Sequence, residues 1–489
     1  MICNNLQYRI SIFPRTRLAR ITSSPGTFVI HDYKQDTGTT GTCKPPVKVT
    51  FLVPHVIRYT EVGKVREHSL VNIVMSGSLR RLATAVSFLF CLVVAPGGSG
   101  AAFAQASGSG KPRPENVSVR TRDPLTDTGF EHFYNLDHDH AIQDFERVLE
   151  KHPDDPFAVN HLITGVLIRE LYRMGAMNTG EYANDSFIGQ AHRPADLKIK
   201  ARIKQLVQRA EKLEEQQLKA NPNDVDALYA RGVTRGQFAT YTALVERAWF
   251  SALRNAVGAR HDHERVLEMD PKYIDAKLVV GAHYYVMGSL PWGVKVAVSL
   301  VGLSGSKQKG IQYLYEATDS GDEISVDAKI VLMLFLRREH RYDEALKIAR
   351  GLIPRYPQNM LIALEEGNLL RASGHSREAV AVYRKIWQAG QDGHYPGLHY
   401  ELAVLSLGDL LRSQKDYQGA AAAYELVSEA PQPDREYLQR ANLAAGEMYD
   451  VLKKRELAVK KYQAVLATNT QTPPAETARK HMKEAYRDE

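Results

Sequence analysis

Cysteine is almost missing from this sequence. The 489 residues hold three, Cys3, Cys43 and Cys91, all in the first fifth of the chain. So few exclude a disulfide framework, and their absence after residue 91 excludes thiolate metal sites and thiol nucleophiles there. No P-loop, Gly-rich dinucleotide loop or nucleophile elbow occurs. Gly302-Leu303-Ser304-Gly305-Ser306 lacks the elbow order and follows no strand pattern. A run long enough to span a bilayer is also missing: Leu82–Pro96 is too short, and Val294–Leu303 is shorter still and carries Lys295.

One-signed charge is missing where it would matter. The formal charge is +7, but residues 1–104 hold 12 of the 63 Lys+Arg and only 4 of the 56 Asp+Glu. The remaining 385 residues are close to neutral. No Lys/Arg stripe interleaved with aromatics runs through them, which excludes a nucleic-acid partner.

Residues 1–74 show no sustained helix or strand period and read as an over-extended, disordered N-terminus. Met75 opens a segment of different character. Arg80 and Arg81 form a charged start, LATAVSFLFCLVVAP an apolar stretch, and Ala102-Phe103-Ala104 and Ala104-Gln105-Ala106 small-x-small cleavage sites. Residues 75–104 are therefore expected to be a signal peptide, with the exported chain beginning near Gln105. That predicts a periplasmic or secreted protein with possible outer-membrane association. Low cysteine suits an oxidising compartment. Residues 105–122, rich in Gly, Ser and Pro, read as a flexible leader.

What is present after residue 122 is a repeat. Gly129, Gly367, Gly408 and Gly446 are each followed twelve residues later by Ala141, Ala379, Ala420 and Ala458. Four residues further on stand Phe145, Tyr383, Tyr424 and Tyr462. A second mark is Pro twelve residues after Ala: Ala141 to Pro153, Ala210 to Pro222, Ala259 to Pro271 and Ala345 to Pro357. The small residues let two helices approach, and the aromatic fills the wedge one turn on. Pro stops the second helix, and the Asp or Asn that follows it in HPDDP, NPNDVD and YPQN caps the next.

This pattern resembles the tetratricopeptide repeat over nearly all of residues 123–489. The resemblance implies an all-α superhelix of about eight helix pairs. They fall near 123–155, 156–223, 224–272, 273–320, 324–358, 359–391, 398–433 and 438–470, with a polar closing helix at 473–489. Two blocks result: 123–320, with long irregular pairs, and 324–489, with regular ones. The stretch 281–310, GAHYYVMGSLPWGVKVAVSLVGLSGSKQKG, is similar to a eukaryotic tetratricopeptide outer-membrane family implicated in mitochondrial inclusion clearance. That likeness implies two repeat blocks around an insert. The insert at 290–303 is a buried linking helix or, alternatively, a surface that docks on membrane or an envelope assembly.

Candidate chemistry is sparse. His138-Asp139-His140 and His261-Asp262-His263 look metal-like, but i and i+2 on a helix point about 200° apart and cannot share one ion. The first pair falls at a turn, and the second where the packing aromatic of a repeat belongs. His394 and His399 lie in a Gly/Pro turn without a visible partner. No catalytic residue, metal or cofactor is expected, and no enzyme. In the tetratricopeptide family the first helix of each pair lines the groove, so the resemblance points to residues just after the marker glycines. Asn368, Arg371, Asp409 and Arg412 are the expected partner contacts, in rows of mixed sign that continue into Glu447 and Asp450. The Lys/Asn/Arg set of a peptide C-terminus clamp is incomplete. The expectation is a scaffold for a protein or peptide partner, its oligomeric state open.

Overall fold

The computed structural model describes short strands within residues 19–49, and residues 123–177, 193–290, 295, 304–319 and 324–488. The chain divides into two units, Met1–Ile73 and Val74–Glu489. The expected signal (75–104), the leader (105–122) and the insert (290–303, Leu290 and Lys295 apart) lie outside the described residues.

In the first unit, β1 (Ala19–Ser24) pairs antiparallel with β2 (Thr27–Asp32), and β2 with β3 (Lys48–Val49). This corrects the expectation of disorder for that stretch. Pro25-Gly26 separates two runs rich in Ile, Val, Thr and Phe, which is hairpin composition too short to register as a sustained period.

The described part of the second unit is helical. Its helices are α1 (Pro124–Tyr134), α2 (His138–Lys151), α3 (Pro156–Arg173), α4 (Leu197–Ala220), α5 (Val225–Leu244) and α6 (Trp249–Met269). Next come α7 (Ala276–Ser289), α8 (Lys307–Thr318), α9 (Ser325–Arg338), α10 (Tyr342–Leu352), α11 (Met360–Ala372) and α12 (Ser376–Gln391). The chain continues with α13 (Glu401–Ser413), α14 (Tyr417–Glu425), α15 (Arg435–Val451), α16 (Arg455–Thr468) and the closing α17 (Pro473–Lys483). Consecutive helices pack as antiparallel pairs, so the eight expected pairs are α1/α2 through α15/α16.

The predicted caps form. Asp155 accepts from Phe157 N, Asp224 from Ala227 N and Asn359 from Ile362 N, opening α3, α5 and α11. Between the helices of five pairs, the residue five before the marker alanine takes the left-handed conformation. These are Leu136, His340, Gly374, Lys415 and Lys453, at φ 63°, 58°, 84°, 62° and 60°. Its backbone reversal is what lets each second helix fold back on the first. Only one of the five is glycine, so this turn is invisible to a search for Gly.

The superhelix also folds back on itself, and this was not predicted. Tyr134 at the end of α1 donates to Asp327 at 3.1 Å and packs its ring 5.2 Å from Tyr356, while Asn359 Nδ2 donates to the Tyr134 carbonyl at 2.6 Å. Tyr172 at the end of α3 stacks on His399 at 6.1 Å, and Arg193 pairs with Asp434. The first two pairs thus rest on the N-terminal ends of α9, α11, α13 and α15.

Candidate functional site

The candidate partner-binding helices are built from the marker residues upward. Each aromatic packs against its glycine: a Cβ added at Gly129 would stand 2.6 Å from Phe145, at Gly367 2.4 Å from Tyr383, at Gly408 2.4 Å from Tyr424, and at Gly446 2.5 Å from Tyr462. Any larger residue would displace the ring. The three tyrosines do more than pack. Their hydroxyls donate to Asn368 Oδ1 at 3.0 Å, Asp409 Oδ1 at 2.7 Å and Asp450 Oδ2 at 2.8 Å. Each second helix therefore fixes a polar side chain on the first. Burial holds all three phenols well above their usual range, so they stay donors.

The four predicted contacts separate. Asn368 is buried, beneath Tyr383 and beside Glu365, to which its amide donates at 3.4 Å. That corrects its assignment as a surface contact; it lies between the two helices of its pair. Asp409 is half-buried and held by Tyr424. Arg371 is exposed. Arg412 is committed within the chain, at 2.8 Å to Glu447 and 2.9 Å to the Tyr486 hydroxyl. Burial pushes the Glu447 carboxyl upward, with Arg412 opposing that shift.

The sequence reading missed several partners. Glu365, fully buried, pairs with Arg337 at 2.9 Å. Asp450 takes both oxygens of contact from Arg455 Nη1, at 2.8 and 2.9 Å. Tyr486 and Asp488 lie beyond the closing helix. The marker spacing does not include these: Arg337 and Glu365 stand 28 residues apart in different repeats, and Arg455 opens the second helix of its pair.

Neither His pair converges. His138 is 7% exposed, whereas the His140 side chain is 62% exposed. The His261 side chain is 79% exposed and His263 is fully buried. His263 occupies the aromatic position of its pair: a Cβ at Gly232 would meet its ring at 2.3 Å. Burial lowers the His263 imidazole to about 4, so it is neutral, with Nδ1 2.7 Å from the Ala259 carbonyl. Asp262 beside it is bridged by Arg231 and Arg235, both at 2.6 Å. His399 does have partners: Nδ1 stands 3.1 Å from Glu401, and the ring lies between Tyr172 and Tyr437.

A second concavity of about 600 Å³ lies between α8, α9 and α10, with Val326, Lys329, Ile348 and Arg355 in its wall. No helix among the described residues is long and apolar enough to cross a membrane.

Helix pairs joined by Gly–aromatic wedges, capped by Asp and Asn and stacked in series decide the architecture. The fold is an all-α superhelix of the tetratricopeptide type. A family model described as Iml2/Tetratricopeptide repeat protein 39 matches residues 275–463. The match includes the stretch 281–310 and extends well past it, from α7 into α16. No curated protein matches the chain. Among solved structures, a tetratricopeptide repeat protein from Parabacteroides merdae is 14% identical, with TM-score 0.28, over 66% of this chain and 97% of that one. A human IFIT1 dimer with m7Gppp-AAAA is 12% identical, with TM-score 0.35, over 84% of this chain and 86% of its own.

Proposed function

We propose that this tetratricopeptide protein is an exported, non-catalytic scaffold that binds a protein or peptide partner in its groove. The repeat fold is that of an interaction scaffold. The observation that carries the finer reading is the row Arg371, Arg412 and Asp450, four residues after Gly367, Gly408 and Gly446, which begins at the exposed Arg371 and stands beside Asn368 and Asp409, each fixed by a tyrosine of the paired helix. A row whose rotamers are already set recognises an extended partner without the entropic cost of ordering it. Export rests on the sequence of residues 75–104.

Two measurements test this. Pull-down from an envelope extract, comparing the chain with Arg371→Glu, should show the partner lost on charge reversal; retention of the same partner overturns the groove assignment. N-terminal sequencing of the exported protein should begin at Gln105 or Ser107, and a retained Met1 overturns export.

A further inference from the structure

The chain leaves α17 at Lys483 and does not run off into solvent. Glu484 is extended, and residues 484–488 turn back over the first helices of the seventh and eighth pairs. The Tyr486 N–H donates to Asp450 Oδ2 at 2.8 Å. Its hydroxyl accepts from Arg412 Nη2 at 2.9 Å, and the same guanidinium stands 5.5 Å from the ring centroid. On its other edge the ring meets His481 at 5.4 Å. Asp488 accepts from the Tyr417 hydroxyl at 2.5 Å and from Tyr486 at 3.3 Å. Upstream, Arg455 donates to the His481 and Met482 carbonyls at 2.7 and 2.8 Å.

These contacts have the form of ligand recognition more than of core packing. Tyr486 is half-buried, while Glu484, Ala485, Arg487 and Asp488 are exposed. The segment has no regular secondary structure. It is held by backbone and polar-tip contacts to Arg412 and Asp450, which stand four residues after Gly408 and Gly446. The equivalent residue one pair earlier is Arg371, exposed and uncovered by the segment. The segment thus fills one end of a row that continues beyond it.

We infer that the groove of the seventh and eighth pairs recognises an extended segment bearing a tyrosine and, two residues on, an acid, and that residues 484–488 are its resident intramolecular ligand. This rests on the groove reading above and names the partner chemistry. A tether of a few residues supplies an effective concentration near ~1 mM, so a segment of ~10 μM intrinsic affinity would be about 99% docked. An outside partner of the same chemistry would then bind about 100-fold more weakly than to the vacant groove.

The test uses a fluorescent, C-terminally amidated peptide, His-Met-Lys-Glu-Ala-Tyr-Arg-Asp. It is titrated into the whole chain and into a chain lacking residues 484–489. Saturable binding to the shortened chain, about 100-fold weaker binding to the whole chain, and loss with a Tyr→Ala peptide are expected. Absence of binding to a shortened chain with unchanged circular dichroism overturns the inference, as does equal binding by both chains. Should the shortened chain fail to fold, the full-length Tyr486→Ala variant keeps α17 and its length. It should bind the peptide as the shortened chain would, and a null result there is equally fatal. If the peptide fails while Arg371→Glu still abolishes capture of the envelope partner, the resident ligand falls and the scaffold stands. If the peptide binds but Arg371→Glu changes nothing, the groove reading of the envelope partner falls alone.

Discussion

Tyr424 lies on Gly408 so closely that a Cβ there would stand 2.4 Å from its ring, while its hydroxyl reaches the neighbouring Asp409 at 2.7 Å. One contact thus sets both the spacing of the helix pair and the rotamer of Asp409 on the first helix.

Gly408→Ala is expected to destabilise. Alanine in a helix gains about 1 kcal/mol in propensity over glycine. Overpacking against a fully buried ring typically costs about 1–3 kcal/mol, and the ring shift also breaks the Asp409 bond. A net loss of about 1–2 kcal/mol is expected by urea melting. A stability gain would show that the ring moves freely and the wedge is not tight.

Lys453→Gly is expected to stabilise. Lys453 sits at φ 60°, where a side chain costs roughly 1–2 kcal/mol, partly offset by the greater freedom of glycine in the unfolded chain. A gain of about 0.5–1 kcal/mol should appear as a higher urea midpoint with unchanged slope. Loss of stability would mean that the lysine side chain holds the turn.

His263→Phe should reduce acid sensitivity. The buried imidazole falls to about 4 from an ordinary 6.5, so the unfolded chain binds a proton that the folded chain refuses. Stability from this group is complete above pH 6.5 and is lost as pH drops through about 4. The phenylalanine copies the Phe145–Gly129 wedge. Between pH 7 and 4.5 the variant should lose about 2–3 kcal/mol less than the parent. Parallel pH profiles would contradict a neutral buried imidazole.

Glu214→Gln should act on the other side. Burial pushes this carboxyl up from 4.5 to about 7, with the Thr234 hydroxyl bond opposing. Thr234 Oγ1 stands 2.5 Å from Glu214 Oε1 and 2.7 Å from Asn160 Oδ1. One hydroxyl proton cannot serve both, so a protonated Glu214 donates to Thr234 and Thr234 donates to Asn160. The folded state keeps a proton that the unfolded state releases. Stability is therefore full below pH 4.5 and falls by about 3 kcal/mol as pH rises to about 7. The glutamine variant should flatten that decline in calorimetric scans. An unaltered decline would place the titrating group elsewhere.

The sequence by itself determined the repeat. Gly, Ala and an aromatic at fixed spacing, with Pro and Asp at the joints, are short-range demands of helix approach and capping, and each local demand is written in adjacent residues. It also explained His263, whose place four after Ala259 is the aromatic slot. The partner glycine was not legible, because α5 and α6 are long and put Gly232 outside the regular spacing. Only the tertiary structure decided which of the four expected contact residues are buried or committed within the chain. Asn368 goes under Tyr383 within its own helix pair, whereas Arg412 reaches Tyr486 and Tyr134 reaches Asp327 because superhelical winding sums small rotations over many repeats. No spacing in the chain encodes that sum, and it is what brings residues 74 and 193 positions apart into contact.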